Sequence, residues 1–135
     1  MVNEQWPQTL PFFDRLYPQA RIPGRPPRHL QMLLCPAYAR GADAIPNSLP
    51  HVLSILLALC PTGGQAAQAR VAIHEKRDGL ATAFTLDFEY WHAQGTTAVS
   101  LDLCQVPEQP RPAGYAIDGL SVRRVVEMPG YELHF

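Results

Sequence analysis

From Arg70 onward the chain alternates apolar and polar residues with a period of two, the signature of strands with one buried face. Val71 and Ile73 alternate with Ala72 and His74, and Asp78-Gly79 is a two-residue hairpin signal. Pairing across that turn sets Ile73 opposite Phe84, Val71 opposite Leu86 and Arg70 opposite Asp87, so the apolar faces coincide. Leu86, Phe88 and Tyr90 continue the face of Phe84. Gln94-Gly95 reads as a second turn, which would place Phe88 opposite Leu101 and Leu86 opposite Leu103. A three-stranded meander follows. Val106 to Gly114 is a proline-rich connection, too broken to pair. Leu120 to Glu127 and Tyr131 to Phe135 read as a last hairpin around Pro129-Gly130, a pair suited to a type II turn.

Ser48 to Cys60 carries a different pattern. Asn47 or Ser48 can cap a helix there, Pro50 falls in its first turn, and Pro61 with Gly63-Gly64 ends it. Leu49, Val52, Leu53, Ile55, Leu56, Leu57 and Leu59 cover most of its circumference, leaving only His51, Ser54 and Ala58 as a narrow stripe. An ordinary surface helix shows a wider polar face. This one is expected to be central, or sandwiched between its own sheet and a partner subunit. Nine of the fourteen prolines fall in the first fifty residues, which excludes long regular structure there. Pro11 to Tyr17 fits a short helix with Thr9 as its cap, Arg21 to Arg28 a loop, and His29 to Cys35 a strand. The expected fold is a single α+β domain over residues 1–135. One central apolar helix packs on a mainly antiparallel sheet of about five strands, behind a proline-rich N-terminal segment.

Composition narrows the class. Hydrophobic residues make up 47% and charged residues 17%, too apolar for a disordered chain. No apolar run approaches the roughly 18 residues of a membrane span. The first residues show neither a basic start nor an apolar signal core, so a cytoplasmic location is expected. Eleven basic and twelve acidic residues nearly cancel, so no overall field points to nucleic acid or an anionic membrane. Cys35, Cys60 and Cys104 are widely spaced and odd in number, which fits buried thiols better than a disulfide or zinc site.

Candidate chemistry gathers on the outward face of the meander, at Arg70, His74, Asp87, Glu89 and Asp102. With a Gln94-Gly95 turn, Asp87 and Asp102 face each other, and two close carboxylates can supply a general acid or hold a divalent ion. His74 stands near them. A turn at Ala93-Gln94 would instead set Asp87 opposite Ser100, leaving a solvated face in which Arg70 neutralises Asp87. Glu89 and His92, three apart on a strand, point to opposite faces. The chain has no G-x-S-x-G elbow, P-loop or G-x-G-x-x-G motif, and Thr62-Gly63-Gly64 follows a helix rather than opening one. Arg21, Arg25, Arg28 and His29 form the one basic cluster. Arginines on a proline-stiffened loop can grip phosphate, as in a nucleic-acid backbone or a phosphopantetheine carrier.

The element order over Ser48 to Phe135, one apolar helix and then a sheet, resembles the hot-dog-fold acyl-thioester enzymes. That resemblance implies a sheet wrapped around the helix, dimers and thioester chemistry, although no catalytic motif of that family has a match here. The expectation is a non-enzymatic binding or assembly protein acting as a homodimer, without cofactor or metal. Its further partner would be a protein or small molecule, not nucleic acid or membrane. The alternative is a small enzyme, hot-dog-like on thioesters or using Asp87 and Asp102.

Overall fold

The computed structural model describes residues 6–21, 25–35, 44–60, 63–77, 79–104, 113–127 and 132–134. A 3-10 helix over Trp6–Thr9 runs directly into helix α1, Leu10–Leu16, with Pro11 in the first turn, where its missing donor is harmless. Strand β1, His29–Leu34, buries Leu30, Met32 and Leu34 while Gln31 and Leu33 face outward. Helix α2, Ala44–Leu59, begins four residues before the expected Ser48, so Pro50 lies inside the helix and not in its first turn. Ser48 is buried instead of capping. The helix closes at the Cys60 amide, which donates to the Leu56 carbonyl at 2.9 Å. No helix among the described residues is long and apolar enough to cross a membrane.

Six further strands follow: β2 (Gln65–Arg77), β3 (Leu80–His92), β4 (Gly95–Cys104), β5 (Ala113–Ile117), β6 (Leu120–Glu127) and β7 (Glu132–His134). Their order in the sheet is β2-β3-β4-β1-β5-β6-β7, antiparallel throughout except where β1 runs parallel to β4. The α+β class is as expected, but the sheet is larger than five strands. β1, expected as a strand over His29 to Cys35, sits in the middle of the sheet. β5 is the unexpected strand, built partly from Ala113 and Gly114 at the end of the proline-rich connection.

Cross-strand register decides which side chains meet. Across the first hairpin Ile73 faces Phe84, Val71 faces Leu86 and Arg70 faces Asp87, as the apolar pattern requires. Gly79 takes φ +78°, which glycine adopts without penalty, while Asp78 lies outside the described residues. The second turn is Ala93-Gln94, not Gln94-Gly95, because His92 pairs with Gly95. Phe88 therefore meets Val99, Leu86 meets Leu101 and Asp87 meets Ser100. The β5–β6 turn is Asp118-Gly119, with φ +48° and +86°, the primed geometry that matches strand twist. The expected Pro129-Gly130 turn lies outside the described residues, although β6 and β7 do pair.

The helices lie on one face of the sheet. α2 rests on β1 and β4 through Val52, Ile55, Leu56 and Leu59, all buried. Beside it, α1 sends Phe13 onto Tyr115 of β5, ring centroids 6.3 Å apart. Thr9 shares a 2.6 Å hydrogen bond with the Tyr115 hydroxyl, and the Tyr17 hydroxyl donates to the Ser121 carbonyl at 2.8 Å. Phe84, Leu86, Phe88 and Tyr90 of β3 complete this core from the sheet.

Candidate functional site

The outward sheet face does not assemble the carboxylate pair. Asp87 stands across from Ser100, and Asp102 across from Thr85. The Thr85 hydroxyl donates to Asp102 Oδ1 at 2.7 Å, so its lone pairs face His74, whose Nε2 lies 2.8 Å away. With the hydroxyl proton committed to the carboxylate, His74 is the donor in that contact and cannot activate Thr85 as a nucleophile. Glu89 accepts from Trp91 Nε1 at 3.1 Å. Among the described residues, no three His, Cys, Asp or Glu side chains converge as a metal site. The face is a hydrogen-bonded ladder open to solvent.

The arginines are brought together. Arg21, Arg25 and Arg28 line one cavity of about 600 Å³ at the end of the sheet, beside the C-terminus of α2 and the β3–β4 and β5–β6 turns. Arg21 is held from α1 by a two-pronged contact: Nε donates to Asp14 Oδ1 at 2.9 Å and Nη2 to Oδ2 at 2.7 Å. Arg28 is placed by its backbone. Asp118 Oδ1 accepts the amides of Arg28 and His29, both at 2.9 Å, and the Arg28 carbonyl accepts the Ala98 amide at 2.8 Å. His29 does not join the cavity lining; its ring lies on the sheet, 3.5 Å from Ser100 Oγ.

Two lining residues, His92 and Asp118, escaped sequence reasoning. His92 rides on the inward side of β3, and its Nε2 is 3.0 Å from Thr97 Oγ1. Thr97 is fully buried and gives its proton to the Pro27 carbonyl at 2.6 Å. Its oxygen is therefore an acceptor for His92, which fixes the proton on Nε2 and leaves Nδ1 facing the Gln94 amide at 3.3 Å. Both ring nitrogens are occupied, so His92 is a positioned wall and not a free acid or base. Beside it, burial pushes the Cys60 thiol above its ordinary value, with the side-chain hydrogen bond between Cys60 and Thr97 opposing in part. That makes Cys60 an inert thiol. The signal for Asp118 was the Asp-Gly pair itself, the same cue that marks the first hairpin.

A third feature is apolar. Val71 and Ile73 of β2 belong to the inward side, opposite buried Leu86 and Phe84, yet they are 51% and 52% exposed. Leu57 of α2 is 53% exposed. The helix layer reaches β1 and β4 and stops short of β2. No family model, curated protein or solved structure matches this chain.

Proposed function

We propose that the protein is a non-enzymatic binding and assembly module that works as a homodimer. The observation that supports this most is the uncovered inward side of β2. Val71 and Ile73 sit where the rest of the sheet has core, and large apolar side chains left in water on a core face mark association surfaces. β2 is also an edge strand of thirteen residues. Its edge is interrupted by irregular register after Ala67 and after Ile73, with Gln68 at φ +56°. Such bulges discourage open-ended strand addition. Side-chain packing about a two-fold axis, rather than an extended sheet, is the contact this surface suits. The thiols of Cys35, Cys60 and Cys104, none of them joined in a disulfide, fit a reducing cytoplasmic setting.

Acid–base or metal chemistry at Asp87 and Asp102 loses its support once the β3–β4 register separates them. A folding-linked dimer melts at a temperature that rises with protein concentration. Thermal unfolding across a hundredfold dilution series should show that rise, and a concentration-independent midpoint would contradict the homodimer.

A further inference from the structure

We propose that the arginine-lined cavity binds a small organic phosphate monoester, its phosphate held by the guanidinium groups and its apolar part resting on the floor. At about 600 Å³ the cavity is the size of ordinary small-ligand sites. Its lining residues include three arginines against one acidic residue, Asp118. Asp118 already spends Oδ1 on two backbone amides. Asp14 offsets Arg21 from outside the lining but engages only Nε and one Nη2 hydrogen, so Nη1 remains for a ligand. Among the described residues, no carboxylate pairs with the guanidinium of Arg25 or Arg28.

Charge sign alone would admit any anion. The number of forks argues for phosphate. Three guanidiniums offer more donors than the two oxygens of a carboxylate can use, whereas a tetrahedral dianion presents three terminal oxygens. The floor argues for an organic ester over the free ion, because Pro26, Pro27, Leu59 and Ile117 are buried apolar residues that phosphate itself cannot exploit. The His92–Thr97–Pro27 chain stiffens the wall without leaving a free proton donor, so the site holds its ligand and does not transform it.

Isothermal titration at fixed ionic strength tests this with three probes: inorganic phosphate, hexyl phosphate and a single-stranded oligonucleotide. Hexyl phosphate should bind more tightly than inorganic phosphate. Arg25→Gln and Arg28→Gln should each weaken it about tenfold, as expected for losing a charge-assisted contact. Arg28→Gln keeps the backbone bond to Asp118, and unliganded melting curves confirm that each variant is folded. Arg70→Gln, on the sheet opposite Asp87, should change nothing. The proposal is overturned if hexyl phosphate fails to bind, if it binds no better than inorganic phosphate, or if neither cavity variant weakens it. Tight binding of the oligonucleotide alone would assign the arginines to a nucleic-acid backbone instead.

Discussion

The two flanks of α2 are covered differently. Over β5 and β6 the proline-rich segment supplies a lid: Leu10 and Phe13 are buried, Thr9 and Tyr17 reach Tyr115 and Ser121, and Tyr115 is nearly inaccessible. Over β2, no described element takes that place, and Val71 and Ile73 remain half in water. The same kind of inward-facing side chain is thus core on one flank and surface on the other. Prolines forbid a long helix, but a 3-10 turn leading into seven residues of α-helix is enough to close one side. Among the described residues nothing supplies the second side, and the proposed second copy would cover it.

The sharpest way to break the comparison is to remove the lid. Phe13 is fully buried among Tyr17, Tyr115 and the α2 core, so Phe13→Ala should cost about 3–5 kcal/mol. Denaturant unfolding measures it, and a loss under about 1 kcal/mol would mean the lid is not part of the core. Gly64→Ala comes next. A Cβ there would collide with the Trp91 carbonyl oxygen and approach Tyr90 Cε2 to 2.9 Å, and shifting a paired backbone costs about 1–3 kcal/mol. A neutral result would show that the start of β2 can slide freely, which would weaken its role as a defined edge.

A smaller effect is confined to alkaline solution. Burial raises the Tyr115 phenol above its ordinary 10.0, with the Thr9 hydrogen bond and the nearby Arg21 charge pulling the other way and Asp14 adding a little upward. The folded state therefore keeps this proton longer than the unfolded chain. Its contribution is fully present below the ordinary phenol range and is lost as pH climbs through the raised value. Tyr115→Phe should flatten that alkaline decline, and an unchanged slope would place the cause elsewhere. The smallest expected effect is none: magnesium, manganese or calcium should leave the melting temperature unmoved. A rise that disappears in Asp87→Asn would restore a metal role to the acidic face.

What was legible in the sequence follows the same division. In the first hairpin the pairs Ile73–Phe84, Val71–Leu86 and Arg70–Asp87 could be read because Asp78-Gly79 and the apolar alternation agree on one register, whereas the irregularities after Ala67 and Ile73 could not. The β3–β4 register could not. Moving a two-residue turn by one position shifts each cross-strand partner by two, so both registers keep Phe88, Leu86, Leu101 and Val99 on the same face. Hydrophobic patterning is blind to that choice, and the Asp87–Asp102 pair depended on it. Gly95 looked like a turn residue but is the first residue of β4, at φ +133°. β1 was readable as a strand, yet nothing in six apolar-rich residues says that its neighbours are β4 and β5. β5 was hidden behind the prolines that precede it, although Tyr115, Ile117 and Asp118-Gly119 form a regular hairpin signal. The arginine cluster was visible as composition on a loop. That its members share a cavity with His92 depends on tertiary placement, fixed by Asp118 and by the Thr97 bond to Pro27.

Sedimentation of the wild-type protein and Ile73→Lys, side by side at micromolar concentration and ordinary salt, tests the central claim most directly. A lysine at a half-exposed position can reach water in a monomer but puts an unpaired charge into a packed apolar contact. The wild type should sediment at twice the 15.0 kDa chain mass and the variant at the chain mass, with its circular dichroism unchanged. A wild type that is monomeric, or a variant that stays dimeric, would contradict the assignment of the β2 flank as the surface that a second copy covers.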